Sequence, residues 1–163
     1  MARAECGFCN PDPDKSVIPW QDRLFYSQID AHPVSPGHAL VIPKRHIRDL
    51  SGLNTEEWAG LRVAIENTIQ VIQQTDLRGV YERYINQPIS DQTEWFCRRS
   101  LAHPRINTKP DAYNHGINDG TSAGRTVEHL HWHIIPRYEG DVEDPRGGVR
   151  FVIPELGNYK LSR

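Results

Sequence analysis

Three histidines alternate with apolar residues towards the end of the chain, at positions 129, 131 and 133. Alternate side chains of a β-strand point to the same face, so this spacing predicts that His129, His131 and His133 share one face. Imidazole is a poor filler for an apolar sheet face, which argues against a purely structural role. Because imidazole titrates near neutral pH and forms covalent intermediates with phosphorus, the pattern favours a histidine nucleophile with proton-donating neighbours.

A metal site is the first alternative for the three histidines. Histidines at i and i+2 commonly supply two zinc ligands, but the first and third here would lie about 13 Å apart along a strand. Since zinc–nitrogen bonds are about 2 Å long, one ion shared by all three would need both outer rings to bend inwards. Two alternatives stay open: a zinc-dependent hydrolase with metal at the triad, and a nucleotide-binding or sensor protein with little turnover.

A glycine-rich loop at 119–124 comes directly before the histidines. Glycine lets backbone N–H groups approach a bound phosphate closely, which suits a loop that holds negative charge. Such a loop alone is weak evidence, because it is also typical of a plain turn. Next to three histidines, it favours a nucleotide phosphate as the group under attack.

The segment 118–135 resembles the signature of the histidine-triad (HIT) family, in which three histidines alternate with apolar residues after a glycine-rich loop. Residues 36–46, Pro-Gly-His-Ala-Leu-Val-Ile-Pro-Lys-Arg-His, resemble the other hallmark segment of that family. The order and spacing match from about residue 24 to 53 and from about 113 to 136. The tail at 144–150 is similar to a bacterial branch.

The resemblance implies a role for each matching position. His131, the middle histidine, corresponds to the nucleophile, and His133 would donate a hydrogen bond to the α-phosphate. The other implied site residues are His129 in the catalytic triad, His38 in the same pocket, and Asn118, Gly124 and Thr126 at the phosphate. Asp30 matches the position that receives the ribose hydroxyls, which a carboxylate can accept together, although a turn role explains it equally well.

The activity implied is that of a nucleotide hydrolase or nucleotidyltransferase that works through a covalent nucleotidyl-His131. Candidate substrates are dinucleoside polyphosphates, nucleoside phosphoramidates and adenylylated adducts. Either water or phosphate completes the second step. The sequence does not choose among these substrates or acceptors.

Arg125 stands where the family usually has glutamine, close to the α-phosphate and the departing group. Arginine adds a permanent charge and a planar fork of donors, so it would favour a leaving group that departs with negative charge. Arg125 therefore joins the predicted catalytic residues. The alternative is an ion pair with a nearby carboxylate such as Glu128 or Asp119.

Cys6 and Cys9 form a C-x-x-C pair, which by itself is only half of a zinc site. The zinc-containing members that this chain resembles complete the site with two histidines, which here are His46 and His129. A closed site of two cysteines and two histidines would be structural and would tether the N-terminal segment, while the chemistry would need no metal. The alternative is two reduced surface thiols.

The elements that position these residues are predicted from pattern. We expect strands at 24–29, 38–43, 112–118, 127–135 (ended by Pro136) and 149–153, with the first two paired as a hairpin. A helix from Asn54 to about Thr75 is expected, with Asn54 and Glu57 as a capping box. The fold class is α+β, a five-stranded antiparallel sheet packed with one long helix in a single domain, 1–163. Residues 1–22 form its N-terminal segment, and 78–111 form an insertion with one short helix.

Composition limits the partners and the compartment. The 163 residues carry a formal net charge of -2, so no general basic field exists to hold long nucleic acid. No apolar run approaches the ~20 residues of a membrane-spanning helix, and three cysteines argue against a disulfide framework, so we expect a cytoplasmic protein without a membrane partner. The resemblance implies a homodimer whose sheets join across a two-fold axis, with a nucleotide as substrate.

Overall fold

The computed structural model describes residues 6–158. Its centre is a five-stranded sheet in the order β1-β2-β3-β5-β4, in which every neighbouring pair is antiparallel. The strands are β1 (Trp20–Gln21), β2 (Phe25–Ile29), β3 (Ala39–Pro43), β4 (Ala112–Gly116) and β5 (Trp132–Arg137). The predicted α+β class, the five-stranded antiparallel sheet and the β2–β3 hairpin are confirmed.

The fifth strand, however, is not the one that the sequence predicts. Residues 149–153 do not form a strand, because the chain forms a 3-10 helix over Gly148–Val152 and a short helix α4 over Pro154–Gly157. Arg150 donates to the carbonyls of Leu156 and Gly157, so this stretch folds back on itself instead of joining the sheet. The missing strand is the two-residue β1, which pairs with β2 along one edge.

The strand predicted at 127–135 also begins later and ends later than expected. It begins at Trp132 and not at residue 127, because Leu130 N–H donates to Ile47 O, outside the sheet ladder. It continues through Pro136 to Arg137. The ladder to β3 ends at Ile134, so Pro136, which has no N–H, lies beyond the part of β5 that is paired on both sides.

Helix α1 (Thr55–Ile72) packs against one face of the sheet. Its start is confirmed as a capping box, in which Asn54 accepts from Glu57 N–H and Glu57 accepts from Asn54 N–H. Leu61, Ala64 and Ile72 are buried, whereas Trp58, three residues before Leu61, is 53% exposed. The capping box therefore sets where the helix begins, and the buried stripe sets which way it faces.

The insertion contains two helices, α2 (Leu77–Asn86) and α3 (Thr93–Leu101), where one short helix is predicted. Two fully buried tyrosines of α2 join them to the sheet. Tyr81 Oη accepts from Gly37 N–H at 2.7 Å, and Tyr84 Oη donates to Ile29 O at 2.7 Å. Both bonds reach the ends of the β2–β3 connection, so the insertion supports the loop that carries Asp30 and His38.

The second face of the sheet is covered only in part. The N-terminal segment packs Phe8 and Ile18 against Tyr26, Leu40 and Ile42, which belong to β2 and β3. The C-terminal segment, residues 147–157, lies against β4, at the other edge of the sheet. No helix among residues 6–158 is long and apolar enough to span a membrane.

Candidate active site and metal centre

The five residues from His129 to His133 connect two groups of side chains. His131 and His133 lie with His38, and His129 lies with Cys6, Cys9 and His46. His131 Nδ1 lies 2.8 Å from the carbonyl oxygen of His129. Because a carbonyl can only accept, Nδ1 carries the proton and Nε2 of His131 keeps its lone pair. His131 is half-buried, so the nitrogen that is free to attack belongs to a ring whose orientation the backbone holds.

His133 lies next to His131 and takes its orientation from His38. The His131 and His133 ring centres are 5.0 Å apart, and His38 Nε2 lies 3.0 Å from His133 Nδ1. Val34 N–H donates to His38 Nδ1 at 3.4 Å, so His38 Nε2 is the donor in the bond between the two rings. It follows that His133 carries its own proton on Nε2.

The Nε2 atom of His133 is buried and has no hydrogen-bond partner among residues 6–158. A buried donor without a partner is costly, and such a donor is a candidate contact for a ligand. Burial, helped by the neighbouring His38 and His131, lowers the pKa of His133 to about 4. His133 is therefore a neutral donor at neutral pH.

Asp30 completes this row of side chains. Its Oδ2 lies 3.5 Å from His38 Nδ1, and its Oδ1 accepts from His32 N–H at 2.8 Å. Burial lowers the pKa of His38, and the Asp30 carboxylate opposes that effect. A proton that reached His38 would therefore meet a carboxylate already in place.

The glycine-rich loop at 119–124 comes before these rings in the chain, and two of its residues need glycine. Gly120 and Gly124 have φ of +110° and +93°, which side chains rarely adopt. Gly124 N–H already donates to Thr121 O at 3.0 Å, whereas Thr126 N–H makes no hydrogen bond with the described part of the chain. Thr126 therefore offers a backbone donor, and Gly124 serves the shape of the loop. Asn118 is exposed, and its amide lies 3.9 Å from where a Gly124 Cβ would be.

A separate cluster contains Cys6, Cys9, His46 and His129, whose sulfur and nitrogen atoms all lie within 4.8 Å of one another. Cys9 Sγ is 3.1 Å from His46 Nδ1, and Cys6 Sγ is 3.4 Å from His129 Nδ1. His129 Nε2 lies 2.8 Å from Pro43 O, so Nε2 carries the proton and Nδ1 is left as a ligand atom. Two thiols and two imidazole nitrogens at this spacing fit tetrahedral zinc.

The prediction that the three histidines share one face is wrong for His129. Residues 129–131 precede β5, so the alternation rule of a strand does not apply to them. The His129 ring is fully buried and faces the thiols, and burial lowers its pKa to about 4. His129 contacts His131 through its carbonyl oxygen.

Asp30, His38 and His133 also place three possible ligand atoms within 4.8 Å of one another. A metal there would have to displace the 3.0 Å bond between His38 Nε2 and His133 Nδ1. That bond also sets the proton positions of both rings. The geometry therefore favours a hydrogen-bonded row over a metal site, which leaves the zinc-hydrolase alternative with less support.

The side chain of Arg125 does not point freely into the site. Its guanidinium pairs with Asp49 and donates to Arg48 O at 3.1 Å. Glu128 and Asp119 lie 3.4 and 3.9 Å from it. Arg125 therefore ties the loop at 119–124 to the segment before α1. This arrangement agrees with the ion-pair alternative and adds Asp49 to the carboxylates that the sequence suggested.

One residue beside the triad has no motif that would have identified it. The Phe8 ring lies edge-on to the His131 ring, with centres 5.3 Å apart, and Phe8 O accepts from Tyr26 Oη at 2.7 Å. A phenylalanine between Cys6 and Cys9 gives no signal of its own in one sequence. It reaches His131 only because Cys6 and Cys9 pack against His129.

A glycine-rich loop followed by the neighbouring rings of His131 and His133, on a five-stranded α+β sheet, defines a histidine-triad protein. A family model described as "HIT domain" matches residues 13–140, and the chain belongs to that family. An AP-4-A phosphorylase of Mycobacterium tuberculosis is 28% identical over 146 residues, which are 88% of this chain and 58% of the relative. This chain therefore spans little more than half the length of that relative.

Two further comparisons extend the range of relatives. A bis(5'-adenosyl)-triphosphatase of Dictyostelium discoideum is 29% identical over 130 residues, covering 80% of this chain and 66% of the relative. The solved structure of a Zn-bound histidine triad family protein from Mycobacterium smegmatis has a TM-score of 0.50 and 25% identity. The match covers 93% of this chain and 92% of the chain in that structure.

The position of Arg125 generates a prediction. Arg125→Gln should lower the melting temperature by a few degrees, because Asp49 and Glu128 would lose their shared counter-charge. Arg62→Gln, which breaks an exposed pair with Glu66 on α1, is the matched control and should change little. Unchanged melting for Arg125→Gln, with turnover lost only on substrates whose leaving group is charged, would instead support the leaving-group hypothesis.

Proposed function

We propose that this chain is a nucleotide hydrolase or nucleotidyltransferase that acts at the α-phosphate through a nucleotidyl-His131 intermediate. The observation that carries the proposal is the 2.8 Å bond from His131 Nδ1 to His129 O. It leaves Nε2 of a half-buried imidazole as the nucleophile, next to donors suited to phosphate. The relatives named as a phosphorylase and a triphosphatase support a nucleotide substrate with an adenylyl group.

In the first step the Nε2 lone pair of His131 attacks phosphorus, and the bond from phosphorus to the leaving group breaks with its electron pair. The Nε2–H of His133 and the Thr126 N–H would stabilise the oxygens that gain negative charge. Asn118 would add an amide donor. In the second step an oxygen of water or of phosphate attacks the same phosphorus, the P–N bond breaks, and His131 is restored.

The nucleoside would lie towards Asp30, whose carboxylate can accept from both ribose hydroxyls. His38 lies between Asp30 and His133, 3.5 Å from the Asp30 carboxylate and hydrogen-bonded to His133, so the nucleoside and the phosphate donor would bind at neighbouring positions. Dinucleoside polyphosphates and other adenylylated compounds are the substrate class proposed. The names of the two relatives leave water and phosphate both open as acceptors.

The nucleophile has a direct test. His131→Ala and His131→Asn should each lower kcat by at least about a thousandfold on a dinucleoside polyphosphate, because the covalent step is deleted. AMP binding, measured by calorimetry, should largely survive in both variants. His133→Ala should cost less, about a hundredfold, since it removes a donor and not the nucleophile. Near-wild-type turnover in either His131 variant would contradict the mechanism.

We also propose structural zinc at Cys6, Cys9, His46 and His129. The spacing of the four ligand atoms and the Zn-bound relative support it. Four protein ligands leave no open position, so zinc would supply structural tethering and would hold the N-terminal segment against Pro43 and His129.

Purified protein should contain about one zinc per chain, as expected for a closed four-ligand site. Cys9→Ser should lose that metal, because a serine hydroxyl replaces a thiolate ligand. Cys97→Ser, which changes the buried thiol outside the cluster, is the control and should keep it. A zinc content near zero, together with unchanged melting after chelation, would rule out the site.

A homodimer and a cytoplasmic location complete the proposal. β4 is an edge of the sheet. The described helices of the insertion pack under the β2–β3 connection and not along β4. An open edge needs cover, which a second β4 would supply, and Trp58 on α1 offers an exposed second contact. Cys6, Cys9 and Cys97 form no disulfide with one another, which suits a reducing compartment.

Light scattering at micromolar concentration should find a species of twice the 18.7 kDa chain mass. Dilution should shift it towards the monomer if the contact is the strand edge alone. A single 18.7 kDa species at every concentration would exclude the dimer.

A further inference from the structure

A cleft of about 520 Å³ opens beside His38 and His133, on the side of these rings that faces β4. Its floor contains Asn114 and Ile135, and Asn118 lies at its rim. Its far wall is the C-terminal segment, which contributes Val149, Phe151 and Val152. The cleft is thus polar at the histidines and apolar at the opposite wall, and its volume lies within the roughly 300–1,000 Å³ of small-molecule sites.

The C-terminal segment is built so that the Phe151 ring has a fixed place. A Cβ on Gly157 would lie 2.5 Å from Phe151 Cδ1, so the ring packs directly on a residue without a side chain. Gly147, with φ of +100°, brings the chain so close to Gly157 that a Cβ there would lie 2.3 Å from Gly157 O. The ring therefore rests on backbone, while 43% of Phe151 remains exposed.

The cleft continues past Phe151. A second cleft of about 560 Å³ shares Phe151, Val34 and Ile135 with the first and reaches Arg99 of α3. The Phe151 ring thus lies where the two meet.

Neither Asp30 nor His131 lines either cleft, and the first cleft meets their row of side chains at His38 and His133. Under the proposed function, on which this inference rests, Asp30 receives the ribose of the nucleotide that becomes attached to His131. That nucleoside lies at the end of β2. The clefts reach the β2–β3 connection at Val34 and His38, and from there they extend over β5 and β4. The space beyond His133 is therefore left for the part of the substrate that departs.

We propose that Phe151, flanked by Val149 and Val152, is the binding surface for the leaving group, and that this group carries a nucleobase. A base has two flat faces that stack on an aromatic ring and on apolar side chains. Val149, Phe151 and Val152 are exposed to 61%, 43% and 82%, which is unusual for a valine–phenylalanine–valine set that binds nothing. A dinucleoside polyphosphate fits, since its second nucleoside leaves when the first is transferred to His131.

The test compares two substrates that share the adenylyl group and differ in what departs. Phe151→Ala should lower kcat/KM on a dinucleoside tetraphosphate about tenfold, the loss expected when one stacking surface is removed. On adenosine 5′-phosphoramidate, whose leaving ammonia is too small to reach the wall, kcat/KM should stay unchanged. Phe151→Trp should restore the dinucleotide rate. Leu156→Ala, 65% exposed in the same segment and outside both clefts, is the control.

A second variant covers the case in which Phe151→Ala disturbs the C-terminal segment. Val149→Ala with Val152→Ala keeps the Phe151–Gly157 contact and should give the same selective loss, though a smaller one. Equal losses on both substrates, or none, would overturn the proposal, and a weaker AMP affinity would assign the wall to the first base. A wild-type protein that neither binds AMP nor turns over either substrate would instead overturn the proposed function.

Discussion

The hydrogen bond from His131 Nδ1 to the His129 carbonyl is the interaction on which both sites depend. It joins the His131 ring, which lies next to His133, to the backbone of a residue whose own ring lies among the thiols. His129 is held in turn by its Nε2 bond to Pro43 O, at the end of β3. The sheet, the cysteine cluster and the orientation of His131 are therefore linked through two consecutive hydrogen bonds.

Burial decides the electrostatics of the cleft. It lowers the pKa of His38 and takes that of His133 to about 4, so both rings are neutral at neutral pH. A neutral imidazole has one donor and one acceptor, and the row from Val34 N–H through His38 assigns each of them. The row thus ends in one N–H on His133, where a phosphate oxygen would complete it.

The insertion gives this row its support. Tyr81 and Tyr84 are fully buried, and each places its hydroxyl on backbone at the ends of the β2–β3 connection. Their rings fill the core, while their hydroxyls satisfy polar groups that would otherwise be buried without partners. Gly37 is close-packed there, since a Cβ on it would lie 2.8 Å from Ile72 Cγ2. The loop with Asp30 and His38 is therefore held from below by α1 and α2.

The sequence by itself determined the family, the α+β class, four of the five strands and the capped start of α1, because these depend on local spacing and motif, and the family resemblance supplied the two histidines of the thiol–histidine cluster. Only the tertiary structure decided which way each side chain faces. His129 turns away from His131 because strand alternation begins at Trp132, and Arg125 is held by Asp49, 76 residues earlier in the chain. The C-terminal segment reads as a strand from its valines, yet Gly147 and Gly157 fold it back on itself into a wall. Contacts between residues distant in sequence have no local pattern, so they appear only once the chain is folded.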